Sequence, residues 1–180
     1  MARILADLEQ DPASGICMSS PLLPNCDLWA FSLHHYARQG VSDLCLRLQD
    51  EHGANVNIVF WTLWLGFRGQ LLDAAHLAQA QRKVHAWDQH YILPLRQLRR
   101  RLKVEFGTED NSIEAVRTQI KQAELLAEKH LQQLLESVSG RLEQSAPDNA
   151  SVMANNLRVY LRTLPCSEAL IDALLELIIN

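Results

Sequence analysis

The segment at 56–67, VNIVFWTLWLGF, constrains the fold of this 180-residue chain more than any other feature, because it leaves almost no polar face. A helix that is apolar all round belongs in the middle of a core. Its longest apolar stretch, 58–67, is about half of the roughly 20 residues that a membrane-spanning helix needs. The sequence therefore predicts a central, buried helix near 56–67 and no insertion into a membrane.

Two long segments on either side of Gly107 have the spacing of amphipathic helices. The segment near 71–103 repeats apolar residues at intervals of three, four and seven, and Pro94 within it predicts a kink because it removes a backbone hydrogen bond. The segment near 111–138 carries a similar apolar stripe. We expect an all-α, compact multi-helix bundle of about seven helices, with shorter helices near 27–38, 43–52, 150–163 and 167–178.

The organisation of the chain points to one folded unit with a short extension. Proline and glycine interrupt the first 25 residues, so we expect 1–25 to form a peripheral, partly ordered leader and 26–180 to form a single helical domain. The net charge of −4 gives no overall preference for nucleic acid or anionic membranes. The cysteines form no CxxC pair and the N-terminal residues lack the apolar core of a signal peptide, which predicts a cytoplasmic protein.

The stretch QDEHGANVN at 49–57 allows two interpretations. Asp50 and His52 could supply acid–base groups, and together with Asn55 and Asn57 they could line a polar pocket. Alternatively, the stretch is a joint in which the glycine ends one helix and Asn55 caps the next. Consecutive helical side chains point about 100° apart, so three adjacent ones cannot converge on one atom. We therefore favour the joint, with Asn57 hydrogen-bonded to Asp50 across it.

No spacing in the sequence defines a catalytic or metal centre. His85 with Asp88, and His76 with Asp73, are each three residues apart, which supplies at most half of a metal site. The chain contains no HExxH motif, no GxSxG elbow and no glycine-rich phosphate loop. We therefore expect no catalytic residue, no metal and no cofactor, and a non-enzymatic protein is the first expectation.

The strongest surface signal is RQLRRRLK at 96–103, which holds five of the 17 basic residues. On a helical wheel, Arg96, Arg100 and Lys103 lie opposite the apolar stripe of the same helix and predict a solvated basic ridge, with Arg99 beside it. Cations near a helix C-terminus also stabilise the helix dipole without any ligand. Alternatively, the ridge binds phosphate groups or an acidic protein surface. The candidate binding residues are Arg96, Arg99, Arg100 and Lys103.

Two idiosyncratic motifs carry a resemblance to a known family. They are DLWAFSLHHYARQGVSDLCLRLQDEHGANVNIVFWTLWLG at 27–66 and WDQHYILPLRQLRRRLK at 87–103. Both resemble a proteobacterial family of helical proteins that is known only as a domain of unknown function. The resemblance implies a small bacterial cytoplasmic protein, and it implies no activity, cofactor or catalytic residue.

Three functional hypotheses follow from these observations. The first is a non-enzymatic adaptor or regulatory protein that binds a macromolecular partner, either another protein or a second copy of itself. The second is a small-molecule binder or enzyme with a polar pocket around Asp50, Asn55 and Asn57. The third is RNA or DNA binding through the ridge at 96–103, which the acidic net charge does not favour.

Overall fold

In this computed structural model, the residues described are 26–140 and 148–179. Within these two ranges the elements are helical and no β-strand forms, so the all-α prediction is confirmed. The predicted leader at 1–25 lies outside the described residues. The helices are α1 Leu28–Tyr36, α2 Val41–His52, α3 Val56–Phe67, α4 Ala74–Trp87, a π-helical turn Asp88–Ile92, α5 Leu93–Phe106, α6 Asn111–Ser137, α7 Asn149–Leu161 and α8 Glu168–Ile179.

Helix α3 lies at the centre of the core, as its apolar sequence predicts. Every residue from Val56 to Gly66 is buried. Two polar side chains on α3 find partners inside the protein: the Trp61 indole N–H donates to Ser139 Oγ at 2.8 Å, and the Thr62 hydroxyl donates to the Val59 carbonyl. Helices α1, α2, α6 and α7 are in direct contact with α3.

The joint between α2 and α3 forms as the sequence predicts. Gly53 ends α2 in the left-handed conformation with φ of 70°, where glycine is least strained. Asn55 is the N-cap of α3, and its side-chain oxygen accepts a hydrogen bond from the Asn57 backbone N–H at 3.0 Å. The polar stretch between the two helices is therefore first of all a helix stop followed by a helix start.

Helices α4 and α5 join into one continuous rod through the π-helical turn. The Leu93 N–H donates to the Asp88 carbonyl, five residues back, which is the spacing of a π turn. Pro94 follows directly, and it has no N–H to donate to the carbonyl of residue 90. The interruption that Pro94 predicts therefore takes the form of a widened turn, and the rod runs on to Phe106.

Helix α5 and the first part of α6 form a pair that contributes little to the core. Helix α5 buries none of its own residues and packs mainly against α6. The apolar core residues of α6 begin only at Ala127 and continue with Leu131 and Leu135. We call α5 together with residues 111–126 of α6 the hairpin.

Candidate functional site

An ion-pair cluster fastens α5 to α6. Arg96 Nε lies 3.0 Å from Glu124 Oε1, and Arg96 Nη2 lies 2.7 Å from Glu128 Oε1. Arg99 Nε lies 2.7 Å from Glu124 Oε2. Both carboxylates are fully buried, whereas the Arg96 side chain is 16% exposed. We call these four residues the arginine–glutamate cluster.

Arg99 and Arg96 favour the charged form of Glu124. Burial alone would raise the pKa of Glu124, but the hydrogen bonds and charge of Arg99, together with the charge of Arg96, lower it. Desolvation opposes the charge of Arg96, yet Glu128 and Glu124 raise its pKa. A buried ion pair of this kind is costly to break, because removing one partner leaves an uncompensated charge.

The prediction of a solvated basic ridge is wrong for two of its residues, because they belong to the arginine–glutamate cluster. Arg96 and Arg99 point toward the buried carboxylates of α6 and do not form a solvated surface. Arg100 Nη2 lies 3.3 Å from Asp50 Oδ1 on α2, which leaves Lys103 as the exposed member of the predicted set. The physical reason is that the acidic partners lie on other helices, where a wheel drawn for α5 alone cannot show them.

The predicted bond between Asp50 and Asn57 is also wrong. Asp50 lies against Arg100 instead, and the Asn57 side-chain oxygen accepts a hydrogen bond from Gln132 Nε2 at 3.0 Å. His52 Nδ1 lies 2.6 Å from the Pro165 carbonyl, to which it donates. Asp50, His52 and Asn57 therefore have three different partners and do not form one hydrogen-bonded group.

A polar cavity of about 140 Å³ lies beside the joint, and it contains two of the four predicted residues. Asn55 and Asn57 line it, while Asp50 and His52 do not. We call it the polar pocket, and its walls are Gln49, Gly53, Ala54, Asn55, Val56, Asn57, Asp88, Arg96 and Glu128. It therefore joins the α2–α3 joint to the arginine–glutamate cluster.

Asp88 is the pocket residue whose role the sequence did not predict. Burial raises the pKa of this carboxyl, the charge of Arg96 opposes the change, and the nearby Glu128 raises it further. The one available signal was its place in the second idiosyncratic motif, directly after Trp87. The sequence paired Asp88 with His85 as half of a metal site, but no hydrogen bond joins the two side chains within the described residues.

The second pair that the sequence offered as half of a metal site is His76 with Asp73. Asp73 is the N-cap of α4, and it accepts hydrogen bonds from both the backbone N–H and the ring Nδ1 of His76 at 2.8 Å. Across residues 26–140 and 148–179, no three His, Cys, Asp or Glu side chains are grouped closely enough to hold a metal ion. His76 and Asp73 therefore have a structural role at a helix start.

The hairpin also displays apolar side chains to solvent. Successive helical residues turn by about 100°, so Leu98, Leu102 and Phe106 lie on one side of α5. Leu102 is half-buried, whereas Leu98 and Phe106 are exposed, Phe106 by 52%. Tyr91, just before α5, is 53% exposed.

Aromatic contacts show which side of α6 borders these residues. The Tyr91 ring lies 4.4 Å from Trp87, which in turn lies 4.5 Å from His130 of α6. Steps of seven residues return to nearly the same side of a helix, so Val116 lies on the line of α6 that carries His130. Val116 is exposed as well. We call this surface the apolar stripe, and it consists of Tyr91, Leu98, Phe106 and Val116.

The chain belongs to a family of unknown function. The family described as "Protein of unknown function (DUF2390)" matches residues 27–135, which confirms the resemblance to a domain of unknown function. No curated protein and no solved structure matches the chain. The matched range contains the polar pocket, the arginine–glutamate cluster and the apolar stripe, whereas α7 and α8 follow it. Among the described helices, none combines the length and apolar character needed to cross a membrane.

Proposed function

We propose that this protein is a non-enzymatic binding module that docks an amphipathic helix of a partner protein along the apolar stripe. The observation that carries the proposal is that α5 buries none of its residues while it exposes Leu98 and Phe106 on one side. Large apolar side chains gathered on one exposed face mark interaction sites more often than chance would produce. Helix-in-groove recognition uses apolar anchors spaced in this way along a two-helix surface.

The arginine–glutamate cluster supports this proposal by holding the hairpin in a fixed geometry. Its ion pairs tie Arg96 and Arg99 of α5 to the buried carboxylates of α6. A docking surface that is already rigid loses less conformational entropy when a partner binds. The cluster thus acts as a brace, and the apolar stripe acts as the contact surface.

Nucleic-acid binding through the predicted ridge has less support. Arg96, Arg99 and Arg100 already contact carboxylates at 3.3 Å or less. A phosphate group would have to displace these acidic partners before it gained the same contacts. Steep salt dependence of RNA or DNA binding would nevertheless restore this hypothesis.

The test compares two substitutions on the apolar stripe with one outside it. Leu98→Asp and Phe106→Asp place a charge within the stripe, and Val104→Asp places the same charge on the opposite side of α5, where Val104 is 86% exposed. After chemical crosslinking in the source cells, wild type and the Val104 variant should retain the same partner. Each stripe variant should weaken the interaction about tenfold or more, since apolar anchors at the centre of an interface carry most of its energy.

Circular dichroism of all the variants checks that each one is folded. The same partner retained by all of them would remove the apolar stripe as the contact surface. If sedimentation shows a dimer of this chain that only the stripe variants dissociate, the occupant is a second copy and not a different protein.

A further inference from the structure

The charges around the polar pocket do not balance among the residues described. Arg96 and Arg99 are matched by Glu124 and Glu128, with which they form the arginine–glutamate cluster. Asp88 lines the same pocket, and it forms no ion pair with any described residue. Its one side-chain hydrogen bond there comes from its neighbour Gln89, at 3.4 Å.

A second, independent feature of the pocket is the amide of Asn57. This side chain is only 2% exposed, and its oxygen is taken by Gln132. Its Nδ2 group has no hydrogen-bond partner within the described part of the chain, although the residue lines the cavity. This donor is open to the cavity and can donate to a ligand there. The pocket therefore offers an accessible amide donor and a half-buried carboxylate.

The size of the pocket limits what can contact both groups. A cavity of about 150 Å³ holds a molecule the size of benzene, and the polar pocket measures about 140 Å³. That volume suits an occupant, or an inserted group, of about six non-hydrogen atoms. A single water molecule could accept from Asn57, but it would leave the charge of Asp88 unmatched.

We propose that the polar pocket is a binding site for a small organic amine, whose ammonium group pairs with Asp88 and whose hydroxyl or other acceptor receives the Asn57 Nδ2 hydrogen bond. Arg96 and Glu128 also line the pocket, and Arg96 remains neutralised by Glu124 and Glu128. Burial raises the pKa of Asp88, and a bound ammonium group would oppose that shift by favouring the carboxylate. The site is separate from the apolar stripe and does not depend on it.

The experiment titrates the full-length protein with 4-aminobutanol and with putrescine, and follows backbone amide shifts by NMR. The matched neutral and anionic probes are 1,4-butanediol and 4-hydroxybutyrate, which have similar size and shape. We expect saturable shifts at Gly53, Asn57 and Asp88 with the amines and none with the other two probes. This comparison uses wild-type protein, so it is informative even if a variant does not fold.

The variant arm replaces the carboxylate. Asp88→Asn keeps the shape of the side chain and should weaken amine binding about tenfold or more, since hydrogen bonds to charged groups contribute the most. Asp43→Asn removes an exposed carboxylate of α2 outside the pocket and should leave the affinity unchanged. No saturable shift with either amine, equal binding of the diol or of the anion, or unchanged affinity of a folded Asp88 variant would each overturn the proposal. Leu98→Asp should bind the amines as wild type does, which separates this site from the apolar stripe.

Discussion

Glu124 is the residue on which the attachment of α5 depends most. Its two carboxylate oxygens accept hydrogen bonds from Arg96 and Arg99, and it is fully buried. Glu124→Gln would leave the arginine charges with one carboxylate fewer, so we expect the free energy of unfolding to fall by about 3 kcal/mol. Urea denaturation measures the loss. Glu105→Gln removes an exposed partner of Arg101 and should cost less than about 0.5 kcal/mol.

His35 predicts a dependence of stability on pH. Burial, together with the charges of the neighbouring His34 and Arg38, lowers its pKa from an ordinary value of 6.5 to about 3. Because the folded protein resists protonation that the unfolded chain accepts, stability should fall as the pH drops from 6.5 toward 3. His35→Gln should show a smaller decline between pH 7 and pH 5, where carboxylates contribute little, and His90→Gln should decline as wild type does. Equal slopes for all three proteins would refute the assignment to His35.

At single positions, the sequence predicts local structure better than distant partners. Gly53 and Asn55 could be placed correctly because a helix stop and a helix cap depend on neighbouring residues. Arg96 could not, because its glutamates lie 28 and 32 residues away on another helix. Only part of the polar pocket could be predicted, for the same two reasons. Asn55 and Asn57 belong to the local joint, whereas Asp88 and Glu128 are distant in sequence and line the pocket only in the folded chain.

At the scale of helices, the contact between α3 and α7 is the most sensitive to volume. A Cβ atom added to Gly66 would lie 2.4 Å from the Met153 Cα, which belongs to the backbone and cannot rotate away. We expect Gly66→Ala to lower the free energy of unfolding by about 2 kcal/mol or more, measured by denaturant titration. Gly140→Ala is the control, because nothing lies within 4 Å of its added Cβ. A Gly66 variant as stable as the control would show that the helices separate easily.

The long rod shows how far periodicity determines an element. The apolar spacing predicts one long helix with an interruption at Pro94, and the structure contains a rod from Ala74 to Phe106 with a π-helical turn before the proline. Periodicity was less accurate for the burial of individual side chains. Tyr91 and Leu98 belong to the same periodic set of apolar residues in the sequence as buried positions do. Both are exposed, because this part of the rod extends past the core.

At the scale of the whole molecule, the core extends beyond the residues that match the family, 27–135. Helices α7 and α8 follow residue 135, and they bury Leu157, Leu161, Ile171 and Leu174 in the same apolar cluster as α3. A chain that ends at residue 140 would expose the face of α3 that α7 covers. We expect this truncated chain to lack a cooperative thermal transition, measured by circular dichroism at 222 nm (a helix-sensitive wavelength). A cooperative transition at the wild-type temperature would contradict the shared core.

The central claim for the whole molecule is that a braced hairpin presents the apolar stripe to a partner. Photo-crosslinking tests it most directly, with a benzophenone amino acid placed at position 98 or, as the control, at position 104 of otherwise wild-type protein in its source cells. We expect a discrete crosslinked species from position 98 and none from position 104, because only the first faces the proposed partner helix. No adduct from position 98, or the same adducts from both positions, would contradict the claim.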